Sequence, residues 1–313
     1  VKVYREIEAF QKLSNAVVTT GTYDGVHKGH RKILQTLMDT ARQNGGETVV
    51  ITFWPHPKKI VGSGQSQEIK SLSTLDEKIE ILTALGIDHL LVIPFNRAFS
   101  ELTSEDFIKK ILIDRIGTKK LVIGYDHKFG KNRDGSFEYL QKESARFGFE
   151  VQEIPRQDLD DVTISSTQIR QALSQGDVQQ AALYLEQLYR LKGFVVKGRQ
   201  LGRTIGFPTA NIKVHDSEKL VPADGVYAVL VQYQDQQLKG MLNIGYRPTV
   251  EGKERTVEVY IFDFDKEIYG EELEVSFLEF IRFEQKFNGI EQLKQQLHTD
   301  KETTAAIFRR HGL

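Results

Sequence analysis

Two histidines three residues apart, His27 and His30, lie in the decapeptide GTYDGVHKGH at residues 21–30. This run leaves an apolar strand at Gly21, turns through Asp24-Gly25 and opens a helix at Lys28 or Gly29, so both imidazoles stand at a helix N-terminus. Backbone N–H groups there attract phosphate, and glycines let the chain approach a ligand closely. Imidazole N–H groups can donate to phosphate oxygens as negative charge grows on them during attack at phosphorus. That is the chemistry of nucleotidyl transfer. The run is not G-x-G-x-x-G, so it does not argue for a nicotinamide dinucleotide. Taken alone, the pair also admits plainer accounts: His27 as a cap and His30 as an ordinary helical residue, or a metal pair with no third ligand nearby.

A second run, ISSTQIR at residues 164–170, reads as a helix start, with Ser166 or Thr167 near the cap and Arg170 about one turn along. Hydroxyls, N–H groups and a guanidinium so placed can converge on the β and γ phosphates of a nucleotide; an ordinary helix start accounts for the same residues. In TFWPHP, residues 52–57, the prolines stiffen a strand exit and set Phe53, Trp54 and His56 at one sheet edge, where a flat ring could stack. Core packing is an equally good account of Phe53. Asp126, in GYDHKFG, follows the apolar run KKLVI and so lies in another strand-end loop.

Residues 193–212, GFVVKGRQLGRTIGFPTANI, carry Gly198, Gly202 and Gly206 beside Lys197, Arg199 and Arg203. Such a loop can wrap phosphates, although it is no G-x-x-x-x-G-K-[ST] loop, and a mobile glycine-rich hairpin has the same composition. Extended backbone after Pro208 puts Thr209 and Asn211 on one face, and hard oxygens facing a nucleotide suit Mg2+. Further on, Glu258 in VEVYIFDF is either a carboxylate able to take a proton from a hydroxyl or a solvent-facing residue of an alternating strand.

The elements that must position these groups fall into two patterns. From residue 16 to about 154, short β-branched runs (16–21, 47–53, 89–95, 119–124, 149–155) alternate with helical ones (28–45, 76–86, 104–117, 136–148). This predicts a doubly wound parallel sheet that binds ligands beyond the carboxyl ends of its strands. A helical stretch over 166–188, broken near Ser174–Asp177, follows. After Leu191 the runs GFVVKG, GVYAVLVQY, QLKGMLNIG, RTVEVYIFDF and ELEVSFLEFI, separated by turn residues, predict a small antiparallel β-barrel. A Gln-rich helix over 289–310, with a break near Thr299-Asp300, closes the chain. The domains are accordingly expected at 1–188 and 189–313.

Together GTYDGVHKGH, TFWPHP, VIGYDHKFGKNRDG and ISSTQIR resemble, in order, the motifs of bacterial bifunctional riboflavin kinase/FMN adenylyltransferases. GFPTAN, NIGYRPT (243–249), VEVYIFDFDKEIYG and FIRFEQKF (280–287) are similar to those of the kinase half. The resemblance implies an N-terminal nucleotidyltransferase domain and a C-terminal riboflavin kinase barrel, with ATP as co-substrate of both and Mg2+ in both steps. Riboflavin and ATP would give FMN and ADP; FMN and ATP would give FAD and pyrophosphate. It assigns His27 and His30 to adenylyl transfer, with Gly21, Tyr23, Asp24, Gly29, Ser166, Thr167 and Arg170 around the nucleotide and Phe53, His56 and Asp126 toward FMN. In the kinase half it makes Glu258 the base, Thr209 and Asn211 the Mg2+ and ATP ligands, and Gly198, Gly202, Arg203, Gly206, Pro208, Asn243 and Arg282 nucleotide or flavin contacts. Tyr23, His127 and Tyr260 stand where relatives more often carry Phe, an aromatic residue and His.

Composition narrows the alternatives. In 313 residues, 42 Lys and Arg balance 43 Asp and Glu, so no overall field favours a nucleic acid or a membrane surface. The absence of cysteine excludes disulfides and thiolate sites. With neither a signal pattern nor an apolar run of bilayer length, a cytoplasmic protein is expected; the sequence leaves a homo-oligomer open. The rivals are a transferase for another phosphate ester, against which GFPTAN and Glu258 argue, and a flavin-binding sensor, against which the full set of reactive residues argues.

Overall fold

The computed structural model describes every residue except 62–68, 126–128, 131–134, 155–163, 199 and 250–251. The chain divides into two compact units, Val1–Ser166 and Thr167–Leu313.

In the first unit the β-branched runs form parallel strands: β1 (Lys2–Tyr4), β2 (Ala16–Thr20), β3 (Glu47–Trp54), β4 (His89–Pro94), β5 (Thr118–Gly124) and β6 (Glu150–Ile154). Among the described residues they pair in the order β1-β4-β3-β2-β5-β6. Alternate residues enter two separate cores, one holding Ala16, Val18, Val49, Ile51, Leu121 and Ile123, the other Val17, Val50 and Val122. A sheet buried on both faces needs nearly continuous apolar strands, which these are. Helix α1 (Lys28–Asn44) buries Leu34, Leu37 and Ala41 and stops at Gly45, whose φ of 60° suits a residue without Cβ.

The remaining crossovers of this unit are α2 (Pro57–Val61), α3 (Leu75–Ala84), α4 (Arg97–Ser100), α5 (Ser104–Asp106) running into the wider-turned segment Phe107–Ile116, and α6 (Phe137–Phe147). A reciprocal Thr74–Glu77 capping box starts α3. The chain proceeds from β2 outward through β3 and β4, then returns to the other side of β2 with β5 and β6. The strand order therefore reverses between β2 and β5, and in such sheets the crevice beyond their carboxyl ends is the place for a ligand. GTYDGVHKGH leaves β2 there.

The second unit opens with α7 (Ser166–Ser174, its first residue belonging to the first unit) and α8 (Val178–Leu185). Its strands β7 (Tyr189–Val196), β8 (Ala210–Val214), β9 (Gly225–Tyr233), β10 (Gln236–Thr249), β11 (Gly252–Ile261) and β12 (Glu272–Arg282) close as the barrel β10-β11-β8-β7-β12-β9. Helix α8 packs on β7 and β12. A short turn α9 (Leu201–Thr204) lies between β7 and β8, and α10 (Ile290–Arg310) covers β9, β10 and β12.

The expected break at Thr299-Asp300 does not occur: α10 is continuous. Both side chains find partners that leave the helical ladder intact. Thr299 Oγ1 donates to the Gln295 carbonyl, Thr304 Oγ1 donates to that of Asp300, and the buried Asp300 carboxylate receives Arg282. The short edge strand β1 and the barrel strand β8 add to the runs read from sequence; neither is apolar enough to stand out.

Candidate active sites

The loop after β2 is wound tightly. Tyr23 and Val26 take φ of 46° and 42°, flanking Gly25 at 80°. For a β-branched residue such as Val26 this is strained, costing about 1–3 kcal/mol, so surrounding contacts must hold it. Tyr23 is buried, its hydroxyl shares a 2.7 Å hydrogen bond with Thr19 Oγ1, and burial raises its pKa. The Asp24 carboxylate accepts the N–H groups of Leu72 (2.9 Å) and Ser73 (3.2 Å), and Gly25 N–H donates to Ser73 Oγ over 3.0 Å. Ser166 Oγ, within the same unit, donates to the Asp24 carbonyl over 3.1 Å.

The turn delivers the two imidazoles as a stacked pair, with centroids 3.7 Å apart and planes 21° from parallel. His27 is the N-cap of α1 by backbone geometry, but its side chain makes no capping bond. Gly29 packs closely on the His27 ring: a Cβ there would lie 3.3 Å from His27 Cε1 and Nδ1, so the ring would have to give by a few tenths of an ångström. His30 Nδ1 is buried with no hydrogen-bond partner among the described residues. Burial, then the neighbouring His27 and Lys78, hold the His30 pKa well below 6.5. The ring is therefore neutral at pH 7, with one N–H to donate and one lone pair to accept. A neutral imidazole at a helix N-terminus suits hydrogen bonding to a phosphate oxygen.

In the barrel, Asn243, Glu258 and Asn211 stand directly across from one another on β10, β11 and β8. Residues opposite in register share a face. Val257, Val259 and Ile261 are buried and alternate with Glu258 and Tyr260, so the three polar groups lie on the outside of the wall. Thr209 Oγ1 donates to Glu258 Oε2 over 3.2 Å. Phe207 is buried between Tyr260 (5.2 Å between ring centroids) and His298 of α10 (5.0 Å), which anchors the segment leading to Thr209. Gly198 lies against the Asn211 amide, where a Cβ would come within 2.3 Å of Nδ2, and a Cβ on Gly202 would meet the Phe207 carbonyl at 2.1 Å. Gly202 is thus required by close backbone approach, whereas a Cβ on Gly198 would displace the end of the Asn211 side chain.

An FAD synthetase family model matches residues 9–168 and a riboflavin kinase family model residues 185–308. Bifunctional riboflavin kinase/FMN adenylyltransferases from Listeria monocytogenes, Haemophilus influenzae and Bacillus subtilis are 40%, 40% and 37% identical, over 94%, 95% and 95% of this chain and 93%, 95% and 94% of theirs. The chain belongs to the bifunctional riboflavin kinase/FMN adenylyltransferase family. Its FAD synthetase segment is N-terminal and its riboflavin kinase segment C-terminal. A crystal structure described as a macrolide-efflux protein from Streptococcus pneumoniae superposes with a TM-score of 0.87 at 34% identity, covering 97% of this chain and 98% of that one. Among the described residues of this family member, no helix is long and apolar enough to cross a membrane.

Other expected residues are less uniformly placed. Phe53 packs edge-on to Phe95 at 5.7 Å and against Phe99 at 5.8 Å, beside the core. His56 Nδ1 accepts the Lys58 N–H over 3.2 Å. Asp126 and His127, with Arg199, lie outside the described residues. Thr167 is exposed and Arg170 half-buried on α7; Arg203 and Pro208 are exposed, and Gly206 takes a φ of 84°. Arg282 donates from Nε and Nη2 to the buried Asp300, at 2.9 and 2.7 Å, and from Nη1 to the Phe283 carbonyl. Sequence reasoning missed Lys78, a buried lysine whose Nζ donates to the Thr22 carbonyl over 2.6 Å. Its signal is a lysine on the apolar stripe of α3, three residues after Leu75 and three before Ile81.

Proposed function

We propose that residues 1–188 carry adenylyl transfer at the His27–His30 pair, and that residues 189–313 carry riboflavin phosphorylation at the Glu258 row. In the first reaction an oxygen of the FMN phosphate attacks the α-phosphorus of ATP, and pyrophosphate leaves. His30 donates its N–H to the phosphate oxygen on which charge develops, beside N–H groups at the start of α1. His27 stacks on that ring and fixes its plane. Gly21, Asp24 and Gly29 bring the backbone close to the nucleotide, with Tyr23 beneath. Ser166, Thr167 and Arg170 supply hydroxyls and charge for the departing pyrophosphate, while Phe53 and His56 border FMN.

In the second reaction Glu258 takes the proton of the ribityl 5'-hydroxyl as its oxygen attacks the γ-phosphorus of ATP, and ADP leaves. Thr209, by donating to one carboxylate oxygen, orients the carboxylate and leaves the other for the substrate. Asn243 lies beside this base. Gly198, Gly202, Arg203, Gly206 and Pro208 shape the nucleotide loop, and Arg282 borders the flavin while its ion pair with Asp300 holds β12 to α10.

Thr209 and Asn211 would hold Mg2+. Two hard oxygen donors in adjacent register fit an ion that keeps most of its ligands as water and phosphate, and among the described residues no group of three His, Cys, Asp or Glu side chains offers a fuller cage. When bound, Mg2+ neutralises charge on the transferred phosphoryl group. ATP and free flavins as substrates suit the cytoplasm.

The alignment of Asn243, Glu258 and Asn211 across three strands, with Thr209 bonded to the middle residue, carries this reading. The test is incubation of the protein with riboflavin, ATP and Mg2+, resolving FMN from FAD by chromatography, with each component omitted in turn. FMN followed by FAD is expected. FAD from supplied FMN but none from riboflavin would overturn the kinase half, FMN alone the transferase half, and full turnover in EDTA the Mg2+ site.

A further inference from the structure

The geometry points to Lys78 as a positioning residue for adenylyl transfer, its ammonium clamping the Thr22–Val26 turn in the shape that stacks His27 on His30. This inference rests on reading that pair as the transfer site.

One segment reaches the strained turn at three places. Leu72 and Ser73 bind the Asp24 carboxylate, Ser73 Oγ accepts the Gly25 N–H, and Lys78 Nζ donates to the Thr22 carbonyl at 2.6 Å and to Thr52 Oγ1 at 3.2 Å. The Thr22 carbonyl also receives Thr52 Oγ1 over 3.1 Å. A lysine is therefore not needed to satisfy that carbonyl, and an apolar side chain would fill the same place without burying a charge. Lys78 is nonetheless only 2% exposed, with its ammonium 5.7 Å from the centroid of the Trp54 ring. What the ammonium adds is a rigid charge-assisted bond at the residue preceding the first left-handed position, Tyr23. It also adds positive charge near His30, which helps keep that ring neutral.

The titratable groups coupled to this charge are Asp24 from the loop and His30 from α1. Desolvation pushes Lys78 down to about 8, with the Asp24 carboxylate offsetting part of its effect. The arrangement sacrifices stability at a place where shape governs the reacting histidine, a pattern found at functional sites.

The test compares wild type, Lys78→Met and His30→Ala for FAD formation from FMN and ATP, with riboflavin phosphorylation in parallel. Lys78→Met is expected to lower adenylyl turnover by roughly 10- to 100-fold, the cost of misplacing a reacting group, with KM values moving far less. Its kinase rate should stay at the wild-type level, and the His30 ring, followed by NMR, should titrate closer to 6.5. Wild-type turnover in Lys78→Met, or a loss confined to KM, overturns the inference. Should Lys78→Met fail to fold, Lys78→Arg, which keeps the charge but not the reach of a single nitrogen, decides: reduced turnover at steady KM sustains the clamp, and wild-type turnover rejects it. If His30→Ala itself forms FAD at the wild-type rate, the reading of the site fails; if it does not and Lys78→Met does, only the role of Lys78 fails.

Discussion

Thr209 donates its hydroxyl hydrogen to Glu258 Oε2 over 3.2 Å, while Asn211, two residues along, stands directly opposite Glu258 in the β8–β11 register. The two oxygen-bearing residues of PTAN thus meet the carboxylate by different routes, one through a hydrogen bond and one through strand pairing.

Replacing Glu258 by Gln keeps an oxygen for Thr209 but removes the proton acceptor. Riboflavin phosphorylation should fall by about 10² to 10⁴, the usual cost of losing a general base, and FMN adenylylation should not change. Kinase turnover at the wild-type level would place the base elsewhere.

Gly198→Ala should act through Asn211. The added Cβ would meet the Asn211 amide at 2.3 Å, and the end of a side chain gives way more readily than backbone. The barrel should fold, the Mg2+ concentration for half-maximal phosphorylation should rise, and turnover should fall by roughly 10- to 100-fold, as for a displaced ligand group. A Mg2+ titration of kinase rate checks this; an unaltered curve removes Asn211 from the ion site.

His30→Ala should remove transition-state stabilisation worth roughly 2.7 to 4 kcal/mol, the range for one donor to a developing oxyanion. FAD formation should drop while FMN formation continues. Single-turnover measurement with supplied FMN separates this from an effect on product release.

Two buried titratable groups of the first unit, His30 and Lys78, set a pH dependence. His30 has its folded pKa below 6.5, so as pH falls through 6.5 the unfolded chain takes a proton that the folded one refuses, and stability declines on the acid side. Lys78 is lowered from 10.5 to about 8: between those values the folded chain has lost a proton that the unfolded chain keeps, so stability rises with pH across that window. The shift corresponds to about 3 kcal/mol. Lys78→Met should accordingly be more stable than wild type near pH 8, with the difference shrinking toward pH 10.5. Urea unfolding at several pH values checks this, and a pH-independent difference would count against a charged lysine below 8.

Asp300→Ala should destabilise the barrel unit by about 3 kcal/mol, the low end for breaking a buried ion pair, because the Arg282 side chain keeps 19% exposure. Denaturant unfolding of the wild type and the variant gives the comparison. No change in midpoint would show that Arg282 finds an equal partner in water.

Much of this was legible in the sequence. Alternation of β-branched and helical runs gives the wound sheet, because a strand buried on both faces must be apolar throughout, and regular turns between later strands give the barrel. The strand, turn and helix start of GTYDGVHKGH were legible because they must follow one another within ten residues, a local constraint. The facts that only tertiary structure decided are non-local. The stacking of His27 on His30 depends on two left-handed residues, one of them Val26, whose cost is met by Leu72, Ser73 and Lys78, some fifty residues on. The row Asn243–Glu258–Asn211 depends on strand register, which periodicity alone does not specify. Asp300 looks like a helix breaker until Arg282, eighteen residues away, occupies its carboxylate; local propensity counts only the backbone that Asp would compete for, and the fold supplies the cation that ends the competition.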